Sequence, residues 1–449
     1  MQETIRIDPA TRLEGHARVN LQFADGGAFE KIEFQSFEPP RGFERIFIGM
    51  PGEEVPRLAA KICGICYSAH GVAAVQAVEN AWGVEPPEGA KKVRELMLLA
   101  NLLHSHTLHF VMLAMPDLVC NSHEKKNVIG LIDKDRQLVE TSMHLRVIAQ
   151  KTTEILGARQ INPAAIVPGG MTKSPTKEEL DRITAIIDEA KNLVQTLKIR
   201  AETLLNTRTT LLKEFAEIKS HFLCLKQNGH LTVCNDDLEL LGRDGRTSTM
   251  STKRFSELVK ERVVEFSFTK RPYLEGSVGL EDELIRVGPL ARVNRCNWKN
   301  DLLRKFEQTF SRPTQSTLAY NIARVIEIEE CVKRMEDIVK NGVDGPFRVT
   351  VKPRAGSGAA IVEAPRGVLY HYYSSDDQGT ITEANVITPT GLNAFAIEKS
   401  AEAAARTRLQ QKSAQEVTKE DLDMIEMAVR AYDPCVSCSV HVTQIERRV

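Results

Sequence analysis

Two short cysteine motifs are the first residues in this sequence that could do chemistry: Cys63-Gly64-Ile65-Cys66 near the start and Cys435-Val436-Ser437-Cys438 near the end. Two thiolates at this spacing can clasp a soft metal ion or cycle through a disulfide. Neither pair sits in a strand–helix unit of the thioredoxin kind. Their separation far exceeds the gap of about 15–20 residues in a compact zinc knuckle. Spacing alone leaves three readings open: a structural zinc site, a soft redox metal, or coincidence. Cys120, Cys224, Cys234, Cys296 and Cys331 stand alone and read as small core residues. Nine cysteines spread thinly over 449 residues argue against a disulfide framework and for a reducing compartment. His104, His106 and His109 look like a metal cluster, but they fall on an apolar helix pattern, and hydrogen bonding within the core is the expectation.

The elements that must position these residues are mostly helical. Long helices are expected at about 91–118, 132–157, 176–215 and 315–340, with shorter ones at 394–411 and 421–431. In the third, Leu180, Ile183, Ile187, Ala190, Val194, Leu197, Ala201 and Leu204 recur at steps of three and four, the narrow seam of a helix packed nearly parallel to its neighbours. Thr176 followed by Glu179, with Pro175 before them, marks its start as a capping box. The first forty residues alternate apolar and polar, and Gly26-Gly27 punctuates them as a hairpin turn. A β-rich stretch is expected at 347–386, while 228–293 mixes strand and turn signals without a clear pattern. No repeat or linker divides the chain. The expectation is one domain over 1–449, mainly α with small α/β and β elements. It would have a central helix bundle and terminal regions converging on a buried metal site.

A net charge of −1, with 42% hydrophobic and 27% charged residues, gives no overall pull toward nucleic acid or an anionic membrane. The N-terminus lacks a basic region followed by an apolar run, and no stretch approaches 18 uninterrupted apolar residues. A soluble, cytoplasmic protein without membrane insertion is expected, unless a partner carries an export signal.

Five motifs occur in order: Arg12-Leu13-Glu14-Gly15-His16; Arg41-Gly42-Phe43-Glu44; Cys63-Gly64-Ile65-Cys66-Tyr67-Ser68-Ala69-His70; Glu363-Ala364-Pro365-Arg366-Gly367; and Asp433-Pro434-Cys435-Val436-Ser437-Cys438-Ser439-Val440-His441. Together they resemble the catalytic large subunit of nickel–iron hydrogenases, over nearly the whole chain. The resemblance implies that Cys63 and Cys435 are terminal nickel thiolates, and that Cys66 and Cys438 bridge nickel to an iron carrying carbon monoxide and cyanide. It makes Glu14 a proton relay from a nickel-bound sulfur and sets Arg366 over the open face of the metals, with Asp433 and Pro365 around it. Thr390 falls where a hydroxyl donates to a cyanide, and His70 where a histidine lies near a bridging sulfur. Glu44 and His441 match ligands of a separate buried ion, usually Mg2+.

The reaction implied is reversible heterolytic cleavage of H2, which needs a Lewis-acidic metal for hydride and a base for the proton. A partly desolvated carboxylate such as Glu14 suits the onward acceptor, and Arg366 supplies a charge that does not titrate. Beyond the four site cysteines no cluster remains to hold an iron–sulfur centre, so electrons must leave through another polypeptide. The resemblance implies an iron–sulfur small subunit, further flavin or iron–sulfur electron-transfer subunits, and maturation proteins. Ser105 stands where exported uptake enzymes carry aspartate, and the ending Ser439-Val440-His441 is similar to cytosolic bidirectional enzymes. Both features point to coupling with NAD(P), ferredoxin, deazaflavin or a heterodisulfide system. The alternatives are a hydrogen-sensing regulatory hydrogenase and a metal-free, complex I-like structural subunit.

Precursors of the family are trimmed after the histidine at the position of His441, and here Val442–Val449 follow. So short a tail reads as retained. The intact mass of the active enzyme should end at Val449; a mass ending at His441 would refute this.

Overall fold

The structure, a computed structural model, describes residues 3–25, 27–37 and 41–440. The N-terminal alternation folds as a three-stranded antiparallel sheet of β1 (Glu3–Ile7), β2 (Ala17–Phe23) and β3 (Phe29–Ser36). Its inward residues Val19, Leu21, Phe23, Ile32 and Phe34 are buried, as period-2 patterning requires. Of the two turn glycines, Gly26 lies outside the described residues and Gly27 has φ 86°.

Helices α1 (Tyr67–Trp82), α2 (Glu88–Thr107), α3 (Val128–Gly157) and α4 (Lys177–Thr207) follow. With α5 (Ala319–Lys340), the last three of these pack into a central bundle. The α4 seam is buried from Ile183 to Leu204, and both halves of the Thr176–Glu179 capping box form. Each buried Leu, Ile or Val on such a seam contributes ~1.5–3 kcal/mol.

The helix limits differ from the expected ones for local reasons. Beyond Thr107 the chain widens into a π-helical segment, Leu108–Ala114, before Pro116, which has no N–H to offer. Asp135 inside α3 is non-helical and caps the next turn, its Oδ1 accepting from Leu138 N at 3.1 Å. The third helix stops at Thr207, and a short helix, Thr209–Glu214, follows the non-helical Arg208. The fourth starts at Ala319 rather than 315. Gln315, Ser316 and Thr317 instead spend their side chains on Ser220, Leu212 and Ala216. One helical run, Glu88–Val119, is long and apolar enough to cross a membrane, but 89% of its most apolar window is buried in the fold.

The β content exceeds the small elements expected. The unassigned middle holds β4 (His221–Leu225), β5 (Asp237–Leu241) and β6 (Thr247–Ser251) in one sheet, and β7 (Val259–Val264) with β8 (Ser267–Leu274) as a hairpin. Most of these strands are only five or six residues long, and polar or charged residues interrupt the apolar alternation in Asp237–Leu241, Thr247–Ser251 and Val259–Val264, which hid them from a periodicity reading. The later β-rich stretch is an antiparallel sheet of β9 (Gly356–Ala364), β10 (Gly367–Ser375) and β11 (Ile381–Ile387). Helices α6 (Pro389–Arg408) and α7 (Lys419–Arg430) lead to the C-terminal cysteines.

Helix α1 lies flat on β9 because Gly356 and Gly358 offer no side chain. A Cβ at either would collide with the backbone of Ala81, and at Gly358 with Ala77 as well. This contact aims the Cys66 end of α1 at the sheet. Gly358→Val should therefore lower stability by ~1–3 kcal/mol through overpacking, read as a lower midpoint in thermal unfolding; an unchanged midpoint would show that the helix can slide.

Candidate metal centre

The two cysteine loops meet because the chain ends are sewn together through the backbone. Glu14 N donates to Pro434 O at 3.2 Å, and Val436 N donates to Glu14 O at 2.9 Å, forming a parallel bridge between Glu14 and Cys435. Arg41 ties the other side, donating to Ile62 O at 2.8 Å and also to Ser437 O, so one guanidinium holds both loops. Asn101 Nδ2 donates to Ile65 O at 2.6 Å and anchors the first loop to α2.

All four sulfurs lie within 4.8 Å of one another, and every one of these cysteines is buried. Cys63 Sγ is 3.4 Å from Cys435 Sγ, Cys66 Sγ is 3.6 Å from Cys438 Sγ, and Cys435 Sγ is 2.7 Å from Cys438 Sγ; all are free thiols. Thiolates bound at about 2.3 Å to one tetrahedral ion stand a little under 4 Å apart, so the set fits metal ligation. Backbone N–H groups of Ile65 and Cys66 aim at Cys63 Sγ at 3.3 and 3.2 Å, which suits a sulfur carrying negative charge.

The electrostatics say that this cluster wants a cation. Hydrogen bonds with Cys435, Cys438 and Cys63 hold Cys66 well below the usual thiol range. Burial, reinforced by neighbouring sulfurs, pushes Cys435 and Cys438 well above it. A soft metal ion bound among them would favour the charged form of Cys435 and Cys438.

Around the sulfurs, Glu14 Oε2 accepts from Cys435 Sγ at 3.0 Å and from Ser437 N at 3.3 Å, and Ser437 Oγ donates to Oε1. Glu14 is only half-buried, so it joins the interior to a wetter zone. Thr390 Oγ1 accepts from Cys435 N at 2.9 Å. Arg366 donates to Asp433 O at 2.6 Å and to Asp433 Oδ1 at 2.9 Å, but its Nη1 has no partner among the described residues. Burial opposes the Arg366 charge, yet Asp433 and the sulfurs of Cys435, Cys66 and Cys63 outweigh it and raise the pKa well above the usual value. Burial raises the Asp433 carboxyl, while Arg366 and Arg324 oppose this. Pro365 is buried in the same turn, which Arg292 braces from behind by donating to Glu363 Oε2 at 2.5 Å and more weakly to the Ala364 and Pro365 carbonyls. His70 lies one turn after Cys66 at the start of α1, its backbone N–H donating to Cys66 O at 3.2 Å.

Glu44 stands apart from the sulfurs, its Oε1 accepting from Val386 N at 2.9 Å. Its carboxyl is raised by burial, with Lys270 opposing. His441 lies outside the described residues. Nor do His104, His106 and His109 form a metal cluster: among the described residues the only such group is the four cysteines. His106 pairs with Glu327 at 2.9 Å and His109 donates to Arg430 O at 2.6 Å. Burial lowers all three, His104 and His106 to about 4, and leaves them neutral.

Several supporting residues escaped the sequence reading. Arg41 and Ser437 sit inside motifs already singled out, and that was the available signal. Arg292, Arg324 and Asn101 carry no local signal; each is a polar residue in an apolar helix pattern and gains meaning from its burial alone.

Comparison with known proteins places this geometry. A family profile described as nickel-dependent hydrogenase matches residues 41–126 and 233–441, and one described as HoxL-like matches 4–38. The chain is 36% identical to a vhu F420-non-reducing hydrogenase chain of Methanocaldococcus jannaschii, over 90% of this chain and 98% of that one. It is 29% identical to the beta chain of the NAD-reducing hydrogenase HoxS of Cupriavidus necator, over 98% and 95%. Its fold superposes on an NAD+-reducing [NiFe]-hydrogenase in the H2-reduced state with a TM-score of 0.91 at 30% identity, covering 98% of this chain and 99% of that one. It also superposes on the Ni-Fe-Se hydrogenase of D. vulgaris Hildenborough at 0.81 and 22% identity, covering 98% and 100%, a likeness of fold alone.

Asp433 is the counter-ion of two buried guanidiniums and has φ 57°, a conformation asparagine also tolerates. Asp433→Asn removes the charge while keeping the shape and should cost ~3–5 kcal/mol of stability, measured by denaturant titration. A loss below about 1 kcal/mol would mean that another group neutralises Arg366 and Arg324.

Proposed function

The chain belongs to the nickel-dependent hydrogenase family as a large subunit, an oxidoreductase acting on H2, and from that premise we propose how its residues divide the work. The observation that carries the proposal is the convergence of four buried sulfurs from opposite ends of the chain, paired Cys63 with Cys435 and Cys66 with Cys438. Cys63 and Cys435 would hold nickel terminally, and Cys66 and Cys438 would bridge it to iron. When bound, the metal pair supplies the Lewis acid and electron acceptor that heterolysis of H2 requires.

The protein's own groups manage charge and protons. Cys435 Sγ holds the proton released on cleavage and passes it to Glu14 Oε2, 3.0 Å away. The N–H and hydroxyl of Ser437 fix that carboxylate, so the transfer needs no rearrangement of the acceptor. Arg366, pinned by Asp433, keeps a fixed positive charge over the site. Its unpartnered Nη1, a buried donor that needs an acceptor, and the Thr390 hydroxyl would meet the cyanide and carbon monoxide ligands of the iron. Pro365 stiffens the turn that presents Arg366.

A divalent ion, Mg2+ or similar, would bind near Glu44 with His441. What supports it is the half-buried Glu44 carboxyl, which has Lys270 and Glu261 for neighbours. Electrons would leave to an iron–sulfur small subunit, because the five cysteines outside the site are scattered singly through the fold. Relatives are named as F420-non-reducing and as NAD-reducing enzymes, and the final acceptor would bind on partner subunits in the cytoplasm. A metal-free, complex I-like role is disfavoured by the four-sulfur cluster, and turnover separates an enzyme from a hydrogen sensor.

The purified complex should contain one nickel and one iron per large subunit, show infrared bands of cyanide and carbon monoxide, and reduce an artificial acceptor with H2. Glu14→Gln should keep both metals but lose ~10²–10⁴-fold in turnover. Zinc in place of nickel and iron, or full activity in the glutamine variant, would defeat the reading.

A further inference from the structure

The turn that leads into Glu14 is fastened by a closed ring of ion pairs and hydrogen bonds that takes no part in the steps above. Arg12 has φ 57°, a left-handed backbone that an L side chain adopts where its surroundings enforce it. Its guanidinium supplies the enforcement: Nη1 donates to Leu113 O at 2.8 Å and Nη2 to Asp117 Oδ1. Leu113 belongs to the π-helical segment and Asp117 to the short helix Met115–Val119 that follows it. Asp117 also accepts from Arg430 at the end of α7, from Nε at 2.7 Å and from Nη2 at 3.1 Å. Arg430 Nη1 lies 3.3 Å from Glu426 Oε1, one turn back on α7. The same Glu426 oxygen accepts from Thr11 N at 2.7 Å and from the Thr11 hydroxyl at 3.1 Å. The circuit runs through Arg12, Asp117, Arg430, Glu426 and Thr11, and closes across one peptide bond.

Two guanidiniums against two carboxylates leave the ring without net charge, and the side chains of Asp117 and Arg430 are at most 2% exposed. A shift that parted one of these charges from its partner would be costly, so Thr11 and Arg12 are held in place. Glu14 follows by two residues. Its own backbone bonds, to Pro434 O and from Val436 N, form one line of contact about which the residue could pivot. The ring at Thr11 and Arg12 supplies a second point of attachment and removes that freedom.

We propose that Arg12, anchored by Asp117, is a positioning residue that holds the Glu14 carboxylate at proton-transfer distance from Cys435 Sγ. This rests on the reading of Glu14 as the proton acceptor. A displacement of about 1 Å between reacting groups can lower a rate ~10²-fold, whereas the four sulfurs make no contact with the ring and keep their metal-binding geometry.

In the holoenzyme, Arg12→Asn places a residue that tolerates the left-handed backbone but is too short to span to Leu113 O and Asp117. Nickel and iron content and the infrared stretches of cyanide and carbon monoxide should match wild type. Turnover with H2 should fall ~10–100-fold, KM for H2 should stay, and the solvent deuterium isotope effect should rise as proton transfer comes to limit the rate. Arg12→Lys, which keeps a charge beside Asp117, should recover part of the loss. A double-mutant cycle decides: in Glu14→Gln, adding Arg12→Asn should cost no further turnover, because the group being positioned is gone. An equal loss in both backgrounds would show a structural role alone and overturn the proposal, as would wild-type turnover in Arg12→Asn. Should Arg12→Asn not accumulate with metal, the same cycle with Arg12→Lys decides: a loss confined to the background that keeps Glu14 supports the proposal, and equal losses or none overturn it. Full activity in Glu14→Gln, measured first, would instead remove the acceptor role itself.

Discussion

Four sulfurs that must all carry negative charge cannot share a dry interior unless something positive is fixed among them. That constraint organises the molecule. Desolvation and mutual repulsion raise two of the thiols, and hydrogen bonds gather the charge on a third. A soft cation bound among the sulfurs would balance that charge. The bridge between Glu14 and Cys435 and the double grip of Arg41 hold the two cysteine loops together through protein contacts.

Around that centre the protein manages charge with arginines paired to buried carboxylates. Arg366 and Arg324 face Asp433, and Arg292 is clamped between Glu327 and Glu363 with no exposure at all. A buried ion pair contributes little net stability, but losing one partner is costly. What such pairs do well is specify position. Glu363 lies at the end of β9 just before the turn that carries Arg366, and Arg292 braces both the strand end and the turn. Glu14, the half-buried group, sits on the one side where protons need a way out.

The long helices and their seam were legible because apolar periodicity over some thirty residues averages out local noise, as in α4 from Ile183 to Leu204. The middle sheets were not, because five-residue strands such as Thr247–Ser251 carry polar residues on both faces. The N-terminal limits of helices were missed where side chains prefer a distant partner, as Ser316 and Thr317 do. Arg324 and Asn101 were invisible for a related reason, since nothing adjacent in sequence distinguishes a buried polar group from a surface one.

By itself, then, the sequence determined the ligand types, their pairing by spacing and the family they resemble, because ligand chemistry is local to a few side chains. Only the tertiary structure decided which groups stand around the sulfurs. Those facts depend on distances between residues hundreds of positions apart, such as Glu14 to Cys435 and Arg41 to Ser437. Such distances are set by how helices and sheets pack, and no short stretch of sequence encodes them.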